Sequence, residues 1–217
     1  MNKPSICAVV VANDLQLIKE AASVADIFEF RIDLIGEGWQ ELTRKPGKPW
    51  IATNRVPAEG GQWQGPEARR IEPLLLAIEL GASYIDVEYN TPNLENVART
   101  IKRRAKLLLS YHDMEKTPSL DDLKRIVRKQ LNAGADICKV VCTARAAEDN
   151  LTVLKLIKEF PEAKIVAFAM GPLGVLSRVL CPLVGGEFTY ASIEKGKESA
   201  KGQLTVAEMR TVYEMMG

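Results

Sequence analysis

The segment SLDDLKRIVRKQLNAGADICKVVC, residues 119–142, contains the repeating unit from which the fold can be predicted. Ser119 is a preferred helix N-cap residue, and the two aspartates that follow it suit the first turn of a helix. Apolar residues then recur at helical spacing up to Gly134, a residue type that commonly ends a helix. After the glycine, ADICKVVC is a short apolar run typical of a strand covered on both faces. The segment therefore predicts a helix, a glycine turn and a buried strand.

Strand-like runs of the same kind recur along the whole chain. They begin near Ser5, Asp26, Pro49, Ser83, Lys106, Ala135, Lys164 and Glu187. Parallel strands cannot be joined by tight hairpins, so repeated strand–helix units indicate a parallel sheet with crossover helices. Eight such units favour an α/β fold of the (β/α)8 TIM barrel type over an open, doubly wound sheet. No G-x-G-x-x-G motif follows the first strand, which also disfavours the doubly wound fold. We expect residues 1–217 to form a single barrel domain.

Composition argues against several classes of function. Of the 217 residues, 47% are hydrophobic and 26% are charged, and the formal net charge is +1. This balance gives no broad field that would attract nucleic acid or an anionic membrane. No apolar run reaches the ~18 residues that cross a bilayer, and the first apolar run resembles a strand more than a signal peptide.

The four cysteines do not form a recognisable metal motif. They are Cys7, Cys138, Cys142 and Cys181. No second pair at short spacing and no histidine cluster accompanies Cys138 and Cys142, so a zinc site is not expected. The simplest interpretation is a reduced, cytoplasmic protein with no metal or organic cofactor.

Charged residues occur in two strands whose other face is apolar. Because side chains alternate across a strand, Glu29, Arg31 and Asp33 share one face of the second strand. Asp86 and Glu88 likewise share one face of the fourth strand. The outer face of a barrel strand packs on helices and must be apolar, so these charged groups should face inward. They predict either a structural ion-pair layer or the wall of a binding site.

Lys139 lies in the middle of the apolar sixth strand, where lysine is rare. Burying an ammonium group without a partner is costly, so burial should favour the neutral amine. A neutral amine is a nucleophile and can form a Schiff base with a ketone. The alternative is a lysine that pairs with an inward carboxylate such as Glu88, and both interpretations can hold together.

The only histidine, His112, ends the fifth strand, one strand before Lys139. Its residue type suits proton transfer near neutral pH, although a lone histidine is often structural. Two irregular segments, 55–66 and 193–204, follow strands and should lie at the carboxyl-end face, where barrel active sites form. The alternative is that both are plain surface loops. Arg178, near the start of the helix after strand seven, is either an anion-binding residue or a surface arginine.

Six motifs occur in the order found in type I 3-dehydroquinate dehydratases. They are EFRID (29–33), R-x-x-x-E-G-G (55–61), SYHD (110–113), ADICKV (135–140), MG followed by SR (170–178) and S-A-K-G-Q (199–203). Each motif is weak alone, but together they span nearly the whole chain, which resembles the compact archaeal-like members of this family. The resemblance implies a lyase that converts 3-dehydroquinate to 3-dehydroshikimate by syn dehydration, the third step of the shikimate pathway. It also implies a lysine Schiff base and no cofactor.

The same motifs imply a role for each matched residue. Lys139 would form the imine, His112 would move protons, and Glu59 would orient or assist His112. The implied substrate-binding residues are Glu29, Phe30, Arg31, Arg55, Met170, Arg178, Ser199 and Gln203. Among them, Arg178 is the implied partner of the substrate carboxylate. The sequence does not decide whether Glu59 or Glu29 contacts His112.

Two other functions remain open on the sequence. The chain could be another class I Schiff-base barrel enzyme, such as an aldolase acting on a sugar phosphate, or a non-catalytic barrel that binds a small acid. A homodimer is plausible for the family that the chain resembles. We expect neither nucleic acid nor a membrane as a partner.

Overall fold

The computed structural model describes residues 3–44 and 46–217, and it contains all eight predicted strands. The strands are β1 (Ile6–Val10), β2 (Ile27–Arg31), β3 (Trp50–Thr53), β4 (Tyr84–Glu88), β5 (Lys106–His112), β6 (Ile137–Thr143), β7 (Ile165–Met170) and β8 (Thr189–Ser192). Each begins within a few residues of its predicted start. Short apolar runs, several of them preceded by a glycine turn, were therefore a sufficient signal for the strands.

The eight strands are parallel and form a nearly closed barrel. Their order is β7-β6-β5-β4-β3-β2-β1-β8, so each strand lies beside its neighbour in sequence and β8 lies beside β1. Between β7 and β8 there is no strand ladder, but the backbone N–H of Glu187 donates to the carbonyl of Ile165 at 2.8 Å. The predicted (β/α)8 fold is confirmed. The barrel has one seam, the boundary between β7 and β8, where no strand ladder forms.

Helices lie between the strands. Their bounds are α1 (Leu15–Ala22), α2 (Ile32–Ile35), α3 (Trp39–Leu42), α4 (Glu67–Glu79), α5 (Leu94–Ile101), α6 (Leu120–Asn132), α7 (Asp149–Lys158), α8 (Val175–Leu180) and α9 (Val206–Met215). The side chain of Ser119 accepts a backbone N–H at the start of α6, as predicted, and Asp14 and Thr205 cap α1 and α9 in the same way. None of the described helices is long and apolar enough to span a bilayer.

Alternation along β2 separates an apolar outer layer from a charged inner one. Phe28 and Phe30 are fully buried in an apolar cluster that includes Ile18 of α1 and Leu74 of α4. The ring of Phe30 packs edge-to-face on Trp50, with 5.6 Å between ring centroids. This packing places Glu29, which lies between the two phenylalanines, and Arg31, which follows them, on the inside of the barrel, as predicted.

All four cysteines are buried and free. Burial raises the pKa of the Cys138 and Cys181 thiols to about 12. They pack as small apolar residues, and a buried thiol with a raised pKa is a poor nucleophile.

Candidate active site

A cavity of about 800 Å³ opens at the carboxyl ends of the strands. The predicted site residues that line it are Glu29, Arg31, Arg55, Glu59, His112, Lys139, Met170, Arg178, Ser199 and Gln203. Both irregular segments contribute residues to its wall. The interpretation of these segments as plain surface loops is therefore wrong, and the structure brings the predicted residues to one place.

Phe30 is the exception among the predicted substrate-binding residues. It is fully buried on the outer side of β2, where it packs on Trp50, and it is not part of the cavity wall. The side chain of Phe30 therefore does not reach the cavity, unlike those of Glu29 and Arg31 on either side of it. Strand alternation allows only every second residue of a strand to face the barrel interior.

The amine of Lys139 is held between two carboxylates. Nζ donates to Asp86 Oδ2 at 3.0 Å and to Glu29 Oε1 at 3.3 Å. Glu88, the partner considered from the sequence, pairs with arginines instead. The lysine is buried, with 5% of its surface exposed, but it is not without partners. Only a neutral amine attacks a ketone, so an ammonium group that pairs with these carboxylates must lose a proton before it reacts.

His112 and Glu59 form a close pair. The imidazole Nδ1 lies 2.8 Å from Glu59 Oε2, and the backbone N–H of His112 donates to the same oxygen at 3.0 Å. Glu29 instead accepts from the hydroxyl of Thr53 at 2.9 Å and from Lys139. The contact of His112 is therefore Glu59, a point that the sequence left open.

Burial and neighbouring charges shift the pKa values of both groups in this pair. Burial lowers the pKa of His112 well below its usual value, and the positive charges of Arg55 and Lys139 lower it further. Burial raises the pKa of Glu59 to about 7, against the opposing effect of Arg55. When Glu59 is ionised, it can accept the Nδ1–H of a neutral imidazole, which leaves the Nε2 lone pair free. The pair is then arranged as a general base.

The two glycines after Glu59 make its position possible. Residues Pro57–Glu59 form a single 3₁₀ turn that directs Glu59 toward His112. A Cβ atom on Gly61 would lie 2.0 Å from the backbone oxygen of Arg55, a distance that no side chain permits. The motif E-G-G therefore reflects a tight reversal of the chain that returns Glu59 to the barrel mouth.

Arg55 lies at the centre of the charged inner layer. Its guanidinium pairs with Asp86 at 2.7 Å and with Glu88 at 2.9 Å, and it donates to the hydroxyl of Ser110 at 2.6 Å. Burial alone would raise the pKa of Asp86, but Arg55 and Lys139 outweigh burial and hold that pKa well below its usual range. Asp86 therefore stays ionised and fixes both cations. The ion-pair layer and the binding site are one structure.

Arg70 extends this layer and was missed from the sequence. It lies on α4, is 1% exposed, and pairs with Glu88 at 2.7 Å. It also donates to the backbone carbonyl of Asn54 and to the hydroxyl of Thr91. A helix arginine resembles any surface arginine in sequence, so alternation along strands could not identify it. Its effect is to hold Glu88, and through Glu88 the position of Arg55.

Arg31 is fixed by Asp33 in a two-bond pair, with donor–acceptor distances of 2.9 Å and 2.7 Å. Asp33 also accepts the backbone N–H of Gln62 at 3.1 Å. The pair therefore connects the cavity wall to the segment 55–66. Asp33 lies in α2, beyond the end of β2 at Arg31, so strand alternation does not apply to it; its contact with Arg31 is an ion pair beside the cavity wall.

Arg178 is buried, which excludes its interpretation as a surface arginine. It is 1% exposed, and its guanidinium carbon lies 4.4 Å from the centre of the Phe168 ring. Among the described residues, its Nε and Nη2 atoms have no hydrogen-bond partner. Burial lowers the pKa of Arg178 to about 10, still far above neutrality. A buried guanidinium that borders a cavity with free N–H groups fits an anionic ligand such as a carboxylate.

The segment 193–204 covers the cavity. The backbone N–H and the hydroxyl of Ser199 both donate to Gln203 Oε1, at 2.9 Å and 3.3 Å. The backbone N–H of Gly171 donates to the carbonyl of Lys201 at 3.0 Å. A Cβ atom on Gly202, whose φ is +78°, would lie 2.3 Å from the Gly171 oxygen. Gly202 therefore permits the close contact that docks this segment on the end of β7.

Tyr190 and Phe168 also line the cavity, and sequence reasoning missed both. Tyr190 lies on β8 and Phe168 on β7, and each is 3% exposed. Both were missed because β7 and β8 contain no charged residue that marks their inner face, as β2, β4 and β6 do. Strand alternation could still have identified Phe168, because it shares a face of β7 with Met170.

The sequence profile of the type I 3-dehydroquinase family matches residues 6–217. The chain belongs to this family. A 3-dehydroquinate dehydratase from Dehalococcoides mccartyi is 45% identical over 214 residues, which are 98% of this chain and 96% of that protein. This type I 3-dehydroquinase also resembles solved structures along its whole length.

Two of these structures are of 3-dehydroquinate dehydratases. The Geobacillus kaustophilus structure is 27% identical with a TM-score of 0.86, and it covers 99% of this chain and 91% of that chain. The Clostridium difficile structure has the same TM-score, 0.86, at 23% identity, and covers 100% and 93%. Thiamine phosphate pyrophosphorylase from Pyrococcus furiosus, at TM-score 0.58 and 14% identity, shares the barrel alone. The fold and the family of this type I 3-dehydroquinase are therefore consistent with each other.

Proposed function

We propose that this chain is a 3-dehydroquinate dehydratase, a hydro-lyase that forms 3-dehydroshikimate through a Schiff base on Lys139. One observation carries the proposal: Lys139, the His112–Glu59 pair and Arg178, whose Nε and Nη2 atoms have no partner among the described residues, line one cavity. These groups match the three parts of the substrate that matter, its ketone, its acidic carbon–hydrogen bond and its carboxylate.

Binding begins with the substrate carboxylate on Arg178. A carboxylate would satisfy the Nε and Nη2 atoms, which have no partner among the described residues. Charge-assisted bonds of this kind are about twice as strong as neutral ones. Because Arg178 follows β7 and Lys139 lies in the middle of β6, the carboxylate would orient the ring ketone toward the amine.

Schiff-base formation requires the Lys139 ammonium to lose a proton. The neutral nitrogen then attacks the ketone carbon and a carbon–nitrogen bond forms. The carbonyl oxygen takes one proton from that nitrogen and one from an acid, the role proposed for His112, and departs as water, which leaves a protonated imine. A carbon–hydrogen bond beside a plain ketone is too weakly acidic for an imidazole base near neutral pH. The protonated imine acts as an electron sink, because the electrons of the broken carbon–hydrogen bond are held as an enamine.

His112 is suited to both proton transfers that follow. Its Nε2 would remove the proton beside the imine, and the resulting imidazolium would donate a proton to the β-hydroxyl as that group leaves as water. A single group that serves both steps from one side of the ring gives syn elimination. Glu59, at 2.8 Å from Nδ1, would stabilise the transient imidazolium. Hydrolysis of the imine then releases the enone and regenerates Lys139.

The remaining predicted contacts stay part of the proposal. Glu29 and Arg31 would contact ring hydroxyls, and Met170 would pack on the ring. Ser199 and Gln203 would close the cavity over the substrate. Arg55 already donates to Asp86, Glu88 and Ser110, so we expect it to act on the substrate mainly by holding that carboxylate layer.

A trapping experiment tests the proposal directly. The chain is incubated with 3-dehydroquinate and sodium borohydride, digested, and analysed by mass spectrometry, while ultraviolet absorbance follows the conjugated enone product. We expect enone formation and a reduced adduct on Lys139. Lys201 is the matched control, because it is the other lysine that lines the cavity. Lys201→Arg should keep the adduct and Lys139→Arg should lose it.

Other outcomes would favour the rival functions. Cleavage of an aldol substrate with no enone signal would indicate a class I aldolase. Binding of 3-dehydroquinate with neither adduct nor product would indicate a non-catalytic small-acid barrel. Turnover of 3-dehydroquinate by Lys139→Met at the wild-type rate would exclude the Schiff base.

Three coarser expectations belong to the same proposal. We propose that residues 1–217 act as one catalytic domain, that the protein works in the cytoplasm, and that it forms a homodimer. The match of the family profile over residues 6–217 supports the first, and four buried, free cysteines suit the second. Light scattering on the purified chain measures the mass of the assembly, and cell fractionation tests the location.

A further inference from the structure

Two aromatic rings lie against the two cations that the proposed reaction needs. Lys139 Nζ lies 4.1 Å from the centre of the Tyr190 ring, and the Arg178 guanidinium carbon lies 4.4 Å from the centre of the Phe168 ring. Both distances are well inside the ~6 Å range in which an aromatic face attracts a cation. The two rings also touch each other edge-to-face, with 6.0 Å between centroids and 61° between planes. We call Phe168 and Tyr190 together the aromatic platform.

The platform crosses the one seam of the barrel that has no strand ladder. Phe168 belongs to β7 and Tyr190 to β8, and these strands are the two ends of the sheet order. Phe188 packs edge-to-face on Tyr190, with 5.4 Å between centroids. Side-chain packing therefore acts together with the backbone bond from Glu187 to Ile165 in fixing how β7 and β8 present their cavity residues relative to each other.

We propose that Tyr190 and Phe168 are positioning residues for dehydration, Tyr190 acting through Lys139 and Phe168 acting through Arg178. This inference rests on the proposed function, because it assigns the two rings to a lysine that forms an imine and an arginine that binds a carboxylate.

The change in hydrogen bonding at Lys139 during the reaction explains why the Tyr190 ring is needed beside it. The ammonium has three N–H groups and donates to Glu29 and Asp86. When the nitrogen bonds to the ketone carbon and water leaves, the iminium nitrogen keeps one hydrogen. It can then make at most one of those bonds. An aromatic face attracts the positive charge whatever the number of N–H groups, and it cannot remove a proton. The Tyr190 ring therefore stabilises the iminium after part of its hydrogen bonding is lost.

The ring of Tyr190, not its hydroxyl, is the part that the site uses. Among the described residues, Tyr190 Oη is buried and has no hydrogen-bond partner. An unsatisfied buried hydroxyl costs stability, so Tyr190→Phe should fold at least as well as the wild type. Phe168 acts differently, because it covers the face of the Arg178 guanidinium and leaves the N–H edges available to a carboxylate.

Substitutions separate the two rings kinetically. Tyr190→Phe should keep kcat and the rate of borohydride trapping within about twofold, whereas Tyr190→Leu should lower both on the order of tenfold. Phe168→Leu should instead raise KM by on the order of tenfold and change kcat little. Phe28→Leu is the matched control, because Phe28 is a buried ring of the outer layer that faces neither cation. It should reduce thermal stability without changing either constant.

Fluorinated phenylalanines at position 190 remove the ambiguity of altered packing. Successive ring fluorines weaken the negative ring face with little change in shape, so the logarithm of the trapping rate should fall steadily along the series. A flat series, or equal trapping of Tyr190→Leu and the wild type, would overturn the role of Tyr190. A lower kcat at unchanged KM in Phe168→Leu would overturn the role of Phe168. If the wild type itself gives no adduct, the Schiff-base proposal fails first, which distinguishes the two failures.

Discussion

One carboxylate oxygen of Glu59 accepts the backbone N–H of His112 at 3.0 Å and lies 2.8 Å from the Nδ1 atom of the same residue. Both contacts fix the imidazole in position and in rotation. Because burial raises the pKa of Glu59 to about 7 and lowers that of His112, the pair exchanges one proton with solvent near neutral pH and keeps one on the imidazole above that pH. Its apparent titration belongs to the two groups together.

This pair predicts a specific pH dependence of catalysis. Below about pH 7, a protonated Glu59 donates to Nδ1, so Nε2 carries the hydrogen and cannot act as a base. Above that pH, Nδ1–H donates to the carboxylate and Nε2 is free. We therefore expect kcat/KM for 3-dehydroquinate to rise with pH through about 7, measured by enone absorbance in buffers of constant ionic strength.

Substitution of Glu59 tests the assignment. Glu59→Gln keeps the size of the side chain but removes the charge that stabilises the imidazolium, so kcat should fall by about 10²–10⁴-fold. The rise in activity near pH 7 should also disappear or move. Glu72→Gln, an exposed glutamate of α4, is the control and should leave both unchanged. A Glu59→Gln variant with the wild-type pH profile would contradict the role of the pair.

The same pKa shift predicts a change in stability. A carboxyl group whose folded pKa lies above its unfolded value of 4.5 stabilises the fold fully below that value, and this contribution is lost as the pH rises through about 7. The wild type should therefore lose stability between these pH values relative to Glu59→Gln, which has no carboxyl group at this site. Thermal melts of both proteins at pH 5 and pH 8 measure the difference. If the melting temperatures of the two proteins differ by the same amount at pH 5 and at pH 8, the raised pKa of Glu59 is contradicted.

The sequence predicted the barrel well because the fold depends on local patterns. Each strand is a short apolar run bounded by turn residues, and the caps Asp14, Ser119 and Thr205 form as their positions indicate. Strand alternation also placed Glu29 and Asp86 on the inside of the barrel. These inferences need only the period of a strand and the rule that the outer face packs on helices.

The partners of the charged residues could not be predicted in the same way. Alternation states which face a side chain occupies, not which of several inward groups it meets. Lys139 was expected either to be a neutral nucleophile or to pair with an inward carboxylate such as Glu88. It does pair with inward carboxylates, but they are Glu29 and Asp86. That choice depends on the stagger of strands around the barrel and on Arg70, a helix residue that holds Glu88.

The two carboxylates beside Lys139 decide what we expect of Lys139→Met. The substitution leaves the buried carboxylate of Glu29 with the Thr53 hydroxyl as its hydrogen-bond partner among the described residues. Removing one member of a buried ion pair costs about 3–5 kcal/mol, so we expect loss of stability as well as activity. Urea unfolding measures the change in the free energy of unfolding.

A second substitution separates the charge effect from lost packing. In Lys139→Met combined with Glu29→Gln, the unpaired carboxylate is gone, so much of the stability should return while activity stays absent. Strictly additive losses in the double variant would show that Glu29 and Lys139 are not coupled.

Substitution of Arg178 should increase stability while it weakens substrate binding, whereas substitution of Lys139 should reduce both stability and activity. Its guanidinium is 1% exposed, and two of its nitrogens have no partner among the described residues. Arg178→Met removes this buried charge, so the protein without substrate should unfold at a higher temperature, in line with a gain of about 1 kcal/mol. The same substitution removes the proposed carboxylate contact, and KM should rise by about 10–100-fold, since a charge-assisted bond contributes ~1.5–3 kcal/mol. Arg125→Met, at an exposed arginine of α6, should change neither quantity. A variant at position 178 with unchanged KM would show that the substrate carboxylate binds elsewhere in the cavity.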